Sequence, residues 1–240
     1  MLEKIKSFCN RLYRYVTNYF SLLLTFLVLL FVFRPYDRGG FYTSTWQLCL
    51  TGVFISSIFN VKHSTAMTWT IISFGIPALI SNWLMIIYQE PIFVILFFGL
   101  TFLFIVVCAI SIIDKVILNA RVTMETLRGV ICVYFMIGFA FAFVYVLIEY
   151  LVPNSFILEE EARQFYVHTH LLSEMMYFSF VTLLSIGFGT INAVHDVAQT
   201  FVIIEGVIGQ FYVAILVARL IGVYSFYAQR NKKELFPNTR

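Results

Sequence analysis

Residues 171–190 read LLSEMMYFSFVTLLSIGFGT, and the fold turns on how this stretch is placed. It opens with a short apolar run, Leu171 to Leu183, and ends in Ser185-Ile186-Gly187-Phe188-Gly189-Thr190. Thirteen helical residues rise about 20 Å, whereas a bilayer hydrocarbon core measures about 30 Å. Such a helix enters a membrane without crossing it. Backbone lacking regular hydrogen bonds is tolerated at membrane depth only where protein buries it or where it lines water. A Gly-x-Gly pair admits positive φ at alternate positions, so consecutive carbonyls can face one side. The stretch therefore predicts a re-entrant helix followed by a carbonyl-lined pore. The helix would aim the negative end of its dipole at that place, which favours a cation; Glu174, toward its other end, has the sign that end prefers.

The surroundings supply the membrane. Of the 240 residues, 60% are apolar and only 12% charged, with a mean hydropathy of +0.88. Soluble domains run at about 45–50% apolar and about 25% charged. Runs long enough to cross appear at Val16 to Phe33, Phe41 to Phe59, Met67 to Tyr88, Ile92 to Ile113, Val130 to Leu151 and Val197 to Tyr224. They are continuously apolar, not alternating with period 2, so they predict helices and not the strands of a barrel. Most connections are short, which predicts antiparallel hairpins. Val16 to Phe33 lacks a small-residue cleavage site and reads as an uncleaved first span.

Lys and Arg placement sets orientation. With the N-terminus cytoplasmic, the inner side carries Lys4, Lys6, Arg11, Arg14, Lys62, Lys115, Arg121, Arg128, Arg219, Arg230, Lys232, Lys233 and Arg240; the outer side carries only Arg34, Arg38 and Arg163. Both termini are expected inside. The formal net charge of +3 thus hides a basic inner side and an acidic outer mouth, and it is too small to suggest nucleic acid as a partner. The basic segment 1–15 reads either as an interfacial helix or as a flank that orients the first span. Cys9, Cys49, Cys108 and Cys132 are isolated, so neither disulfides nor a metal cluster are implied.

An outer helix, a re-entrant helix, a Gly-x-Gly strand and a long last helix together resemble the pore domain of tetrameric potassium channels, whose filter reads close to TxxTVGYGD. Thr182-Leu183-Leu184-Ser185-Ile186-Gly187-Phe188-Gly189-Thr190 falls on that pattern without a gap, and the resemblance covers about residues 127–225. It implies four chains around one axis, each supplying Ser185, Ile186, Gly187, Phe188 and Gly189, with K+ held by their backbone oxygens in place of water. Ser185 in place of Thr keeps a hydroxyl for the innermost ion site but loses a methyl that restricts its rotamers. Ile186 for Val conserves branching, and Phe188 for Tyr removes an outer hydrogen bond. Leu184 replaces a common Thr and Thr190 the outer Asp, two changes that bear on the rigidity behind strict selectivity.

The last span carries Gly206, Gly209 and Gly222. Gly209 stands where this family often has an inner-helix hinge; the competing reading is that small residues allow close helix packing in lipid. Val213, Val217 and Ile221 repeat at i, i+4, i+8 along one stripe and suit either a gate constriction or packing. Glu205, the one acid well inside a span, is expected behind the filter, bonded to the re-entrant helix or to Thr182 and acting with Thr182 as filter support. Four spans before a pore resemble a voltage sensor, yet Ile92 to Ile113 has no basic residue, so steep voltage gating is not expected. Glu159 to Glu161 with His168 and His170 would sense protons or a divalent metal, or simply form a solvated acidic face.

The expected protein is therefore an all-α homotetramer in the cell membrane, each chain with six transmembrane helices plus a re-entrant pore helix and filter loop. Its parts are a cytoplasmic or interfacial segment (1–15), a four-helix membrane domain (16–114), a pore domain (115–225) and a cytoplasmic tail (226–240). Its partners are the lipid bilayer and K+ as permeant ion, with no cofactor and no enzyme activity. A weakly selective monovalent cation channel and a non-conducting scaffold with a pore-like fold are the alternatives.

Overall fold

The computed structural model describes residues 19–33, 40–60, 65–88, 90–118, 124–158 and 168–235. Helices dominate in the order α1 (Tyr19–Val32), α2 (Gly40–Asn60), α3 (Thr65–Tyr88), α4 (Pro91–Leu118), α5 (Met124–Leu151), α6 (His168–Leu183) and α7 (Asp196–Leu235). Two two-residue strands, β1 (Phe156–Ile157) and β2 (Asn192–Ala193), pair antiparallel, Phe156 opposite Ala193 and Ile157 opposite Asn192. The described residues form an all-α bundle with this one small ladder added, a feature the apolar pattern does not signal. The 1–15 segment, Glu159 to Glu161 and Arg163 lie outside the described residues.

Among the described residues, four helices are long and apolar enough to cross a membrane, at Met67–Met85, Ile92–Val116, Glu125–Leu151 and Asp196–Arg219; α1 and α2 present shorter apolar stretches, Phe20–Val32 and Thr45–Ile58. Away from its ends and from Pro77, such a helix bonds its backbone groups within the segment, which is what lipid requires. α4 runs on through Asp114 and Lys115 to Leu118, and α7 continues past Tyr224 to Leu235 as helix. Pro77 sits within α3, and one residue pair before it Gly75 lets Phe104 of α4 come close: a Cβ there would stand 3.2 Å from the ring.

α5 is the hub. α1, α4, α6 and α7 all pack on it, and its side chains Phe139, Phe143, Tyr145 and Val146 have no exposed surface. Phe180 of α6 stacks among Phe31 of α1 and Phe135 and Phe139 of α5, at centroid separations of 4.7, 5.7 and 5.4 Å. Gly138 makes this possible, since a Cβ would lie 2.8 Å from the Phe180 ring. On the other side of α5, the Tyr212 hydroxyl of α7 donates to the Val130 carbonyl at 2.7 Å, and its ring stacks on Tyr134 at 5.9 Å.

α4 is tied directly to α7. Arg219 Nη2 donates to the Val116 carbonyl at 2.5 Å, in the last turn of α4 where carbonyls have no helical amide to receive. The four N-terminal helices thus pack against the α5–α7 unit of their own chain through α1 and α4.

Candidate functional site

The site begins where α6 stops. The Leu184 amide donates to the Phe180 carbonyl at 3.0 Å, Ser185 N to Thr182 O at 2.9 Å, and Ile186 N to Val181 O at 2.9 Å. The last two bonds, with Ser185 at φ 56°, form a Schellman cap whose left-handed position is a serine. Glycine is the usual occupant because any Cβ there is crowded. The remaining carbonyl of the turn, Leu183 O, accepts from the Tyr134 hydroxyl at 3.3 Å.

The chain is exposed from Leu184 to Thr190, and beyond the cap Ile186 to Gly189 have no regular secondary structure. Its φ is positive at Ser185 (56°), Gly187 (61°) and Gly189 (75°), alternating with Ile186 and Phe188. An alternation of left- and right-handed residues turns successive carbonyls toward one side. A Cβ added at Gly187 or Gly189 would meet nothing within 4 Å, so glycine answers here to backbone conformation and not to crowding. Gly189 O accepts from Asn192 Nδ2 at 2.8 Å, fixing the outer end of the loop.

That outer end is anchored by the ladder. Val194 N and His195 N both donate to Ser155 O, at 2.9 and 3.4 Å, while Glu149 at the end of α5 accepts Asn154 N at 2.9 Å and Phe156 N at 3.1 Å. Phe156 is fully buried against Tyr145 and Phe178, ring centroids 5.5 and 5.4 Å away. The loop therefore hangs between a helix C-terminus below and a packed β-ladder above.

Behind the loop lies a buried polar join of α5, α6 and α7. Glu205 has no exposed surface; Tyr145 OH donates to its Oε2 at 2.5 Å, and Ser179 Oγ lies 2.5 Å from its Oε1. Ser179 Oγ also stands 2.7 Å from the Gly138 carbonyl. Glu205 thus reaches α6 through Ser179, and Thr182 is not its partner. Thr182 instead lines a cavity of about 340 Å³ on the flank of the loop, shared with Tyr177, Val181 and Ser185.

α7 passes the site as an unbroken helix through Gly206 and Gly209. A Cβ at Gly209 would lie 2.9 Å from Leu183 O and 2.8 Å from Leu183 Cδ1, so α7 touches the end of α6 at a point only glycine allows. The neighbouring Gln210 donates from Nε2 to Ser185 Oγ at 2.6 Å. Val213 and Val217 are exposed and share the Gln210 side of α7; the Ile221 side chain lies outside the described residues. The adjacent stripe, Ala198, Val202, Glu205, Gly209, Tyr212, Leu216 and Arg219, packs on the rest of the chain.

Sequence reasoning missed Gln210, Ser179, Tyr145 and Tyr134. An amide one residue after a glycine, in a helix otherwise apolar there, was the available signal for Gln210. His168 and His170 open α6, with side chains outside the described residues. Among the described residues, no group of three or more His, Cys, Asp or Glu is placed to hold a metal ion.

These features define a multi-pass membrane protein with an ion-channel-like architecture. Residues 133–225, from α5 through the loop and into α7, match a protein family described as "Ion channel". No curated protein and no solved structure matches the chain.

Proposed function

We propose that the chain is one subunit of a homotetrameric potassium channel that conducts passively through a filter formed by Ser185, Ile186, Gly187, Phe188 and Gly189. α6 is its pore helix and α7 its inner helix; residues 115–225 form the pore domain, and the four preceding helices form a membrane domain without a charged sensor. Six helices cross the bilayer with both termini cytoplasmic, in keeping with the Lys and Arg distribution.

One observation carries this reading: positive φ at every second position, Ser185, Gly187 and Gly189, directly beyond the C-terminus of an apolar helix. Such a backbone can present a file of carbonyls, and a helix end adds negative potential in the same place. A second feature calls for other copies. The Asp196–Arg219 stretch of α7 is 11% buried, against 67% for Glu125–Leu151 of α5, and the loop is exposed along its length. In a tetramer the loop and the Gln210 side of α7 face the axis. Ser185 would supply the innermost ion site, Val213, Val217 and Ile221 the cavity wall, and Thr182 and Glu205 the support behind the filter.

The test is potassium-driven flux from proteoliposomes holding the full chain, with bi-ionic reversal potentials. Flux that favours potassium over sodium and is lost in Gly187→Ala is expected. A folded tetramer that passes no ion overturns the reading in favour of a scaffold, and equal sodium and potassium permeability overturns the selective form.

A further inference from the structure

Ser185 is held from α7, and the residue that holds it stands beside the one glycine that lets α7 come near. Gly209 brings the α7 backbone against the Leu183 carbonyl, where a Cβ would sit at 2.9 Å. From the next position, Gln210 spans the short remaining gap and donates Nε2–H to Ser185 Oγ at 2.6 Å. We propose that Gln210 is a positioning residue for the innermost ion site: it fixes the Ser185 hydroxyl, and thereby sets ion selectivity, in place of the methyl group that a threonine would carry there. The inference rests on the potassium-channel reading and assigns that function to a residue outside the filter.

The chemistry follows from what each group has to offer. A serine hydroxyl has two lone pairs and one proton, and its χ1 has three staggered choices. A threonine at the same place is restricted by branching at Cβ. Ser185 is exposed, at φ 56°, so local packing does little to select a rotamer. The amide of Gln210 takes one lone pair of Oγ and leaves the other free for an ion, in a fixed direction. Four such bonds around an axis would give one hydroxyl geometry instead of a mixture. Glutamine is suited to the task because it carries no charge that would bind the ion itself.

The experiment is a double-mutant cycle read as the K+/Na+ permeability ratio of the full chain in proteoliposomes. Gln210→Met keeps length and removes the donor, and is expected to lower the ratio by up to about tenfold, the scale of one side-chain hydrogen bond. In the Ser185→Thr background the same change is expected to alter the ratio by less than about twofold, because the branched side chain no longer needs the tether. Gln210→Asn keeps an amide but draws it back by one methylene; it is expected to behave like Gln210→Met, and it serves in its place should the methionine variant not assemble. A ratio unchanged in both single variants, or an equal change with Ser185 and with Thr at that position, overturns the inference while leaving the channel reading intact. Absence of flux from the folded wild-type tetramer overturns the channel reading itself, and the inference with it.

Discussion

Ser179 and Glu205 meet inside the protein, Oγ to Oε1 at 2.5 Å, and Ser179 has one proton for two oxygens that face it, since the Gly138 carbonyl lies 2.7 Å away. Tyr145 supplies its own proton to the other carboxyl oxygen. All three contacts are hydrogen bonds only when Glu205 carries a proton and donates it to Ser179, which then donates to Gly138. A neutral acid at a fully buried position also avoids the cost of an unpaired charge in lipid. The chain of bonds ties α7 to α6 and α5 behind the candidate filter.

Gln has the shape and the donor of a protonated Glu, so Glu205→Gln is expected to keep the oligomeric state and thermal stability close to wild type. Glu205→Leu strands the Tyr145 hydroxyl, while Ser179 keeps its bond to the Gly138 carbonyl, and is expected to cost about 1–3 kcal/mol for the group left unsatisfied. Size-exclusion chromatography and thermal melts in detergent read both. Gln and Leu variants equally unstable would show that the carboxyl works as an anion.

Gly209→Ala is expected to destabilise the protein by about 1–3 kcal/mol, the usual cost of overpacking, because its Cβ meets a backbone carbonyl that cannot swing aside. Gly206→Ala is the control: nothing lies within 4 Å of its Cβ in the chain, and alanine favours helix by about 1 kcal/mol. A hinge role alone leaves the melting temperature of Gly209→Ala unchanged while altering gating, so the melt separates hinge from packing.

Much of the architecture was legible as length. Apolar runs of spanning length bounded by charge or proline mark the helices, and the run from Leu171 to Leu183 is short because it ends in the Schellman cap at Ser185. What a run of Leu, Phe and Val does not encode is its neighbour. Tyr145 and Glu205 are sixty residues apart, and only the crossing of α5 and α7 brings them together. Ser185 was legible as a candidate filter residue through its place in the motif but not as a left-handed one, since positive φ is ordinarily read from glycine alone. Gly209 and Gln210 form a pair for the same reason: one allows an approach and the other uses it, and neither role exists until α6 and α7 are side by side.

Arg219 is expected to matter for stability more than its place near the end of the apolar part of α7 suggests. Its bond to Val116 O occupies a carbonyl at the end of α4 and is a polar tie between the N-terminal helices and α7. Hydrogen bonds from charged groups contribute about 1.5–3 kcal/mol, and Arg219→Ala is expected to lose an amount in this range. Limited proteolysis within 119–123 should accelerate, because that segment joins α4 to α5. Unchanged cleavage and an unchanged melt would place the tie outside the stabilising contacts.

Ser185→Gly separates what the backbone wants from what the side chain does. At φ 56° a non-glycine residue bears a conformational cost of about 1–2 kcal/mol, and glycine removes it. Glycine also loosens the unfolded chain, which offsets part of the gain. The cap bonds from Ser185 N and Ile186 N use backbone atoms only and survive the change. Fold stability is therefore expected to hold level or rise by up to about 1 kcal/mol. The hydroxyl, however, is gone: Gln210 loses its acceptor and the proposed innermost ion site loses an oxygen. K+/Na+ permeability should fall in a protein that melts no earlier than wild type. A variant that melts markedly earlier would mean that the Gln210–Ser185 bond outweighs the strain of the left-handed serine.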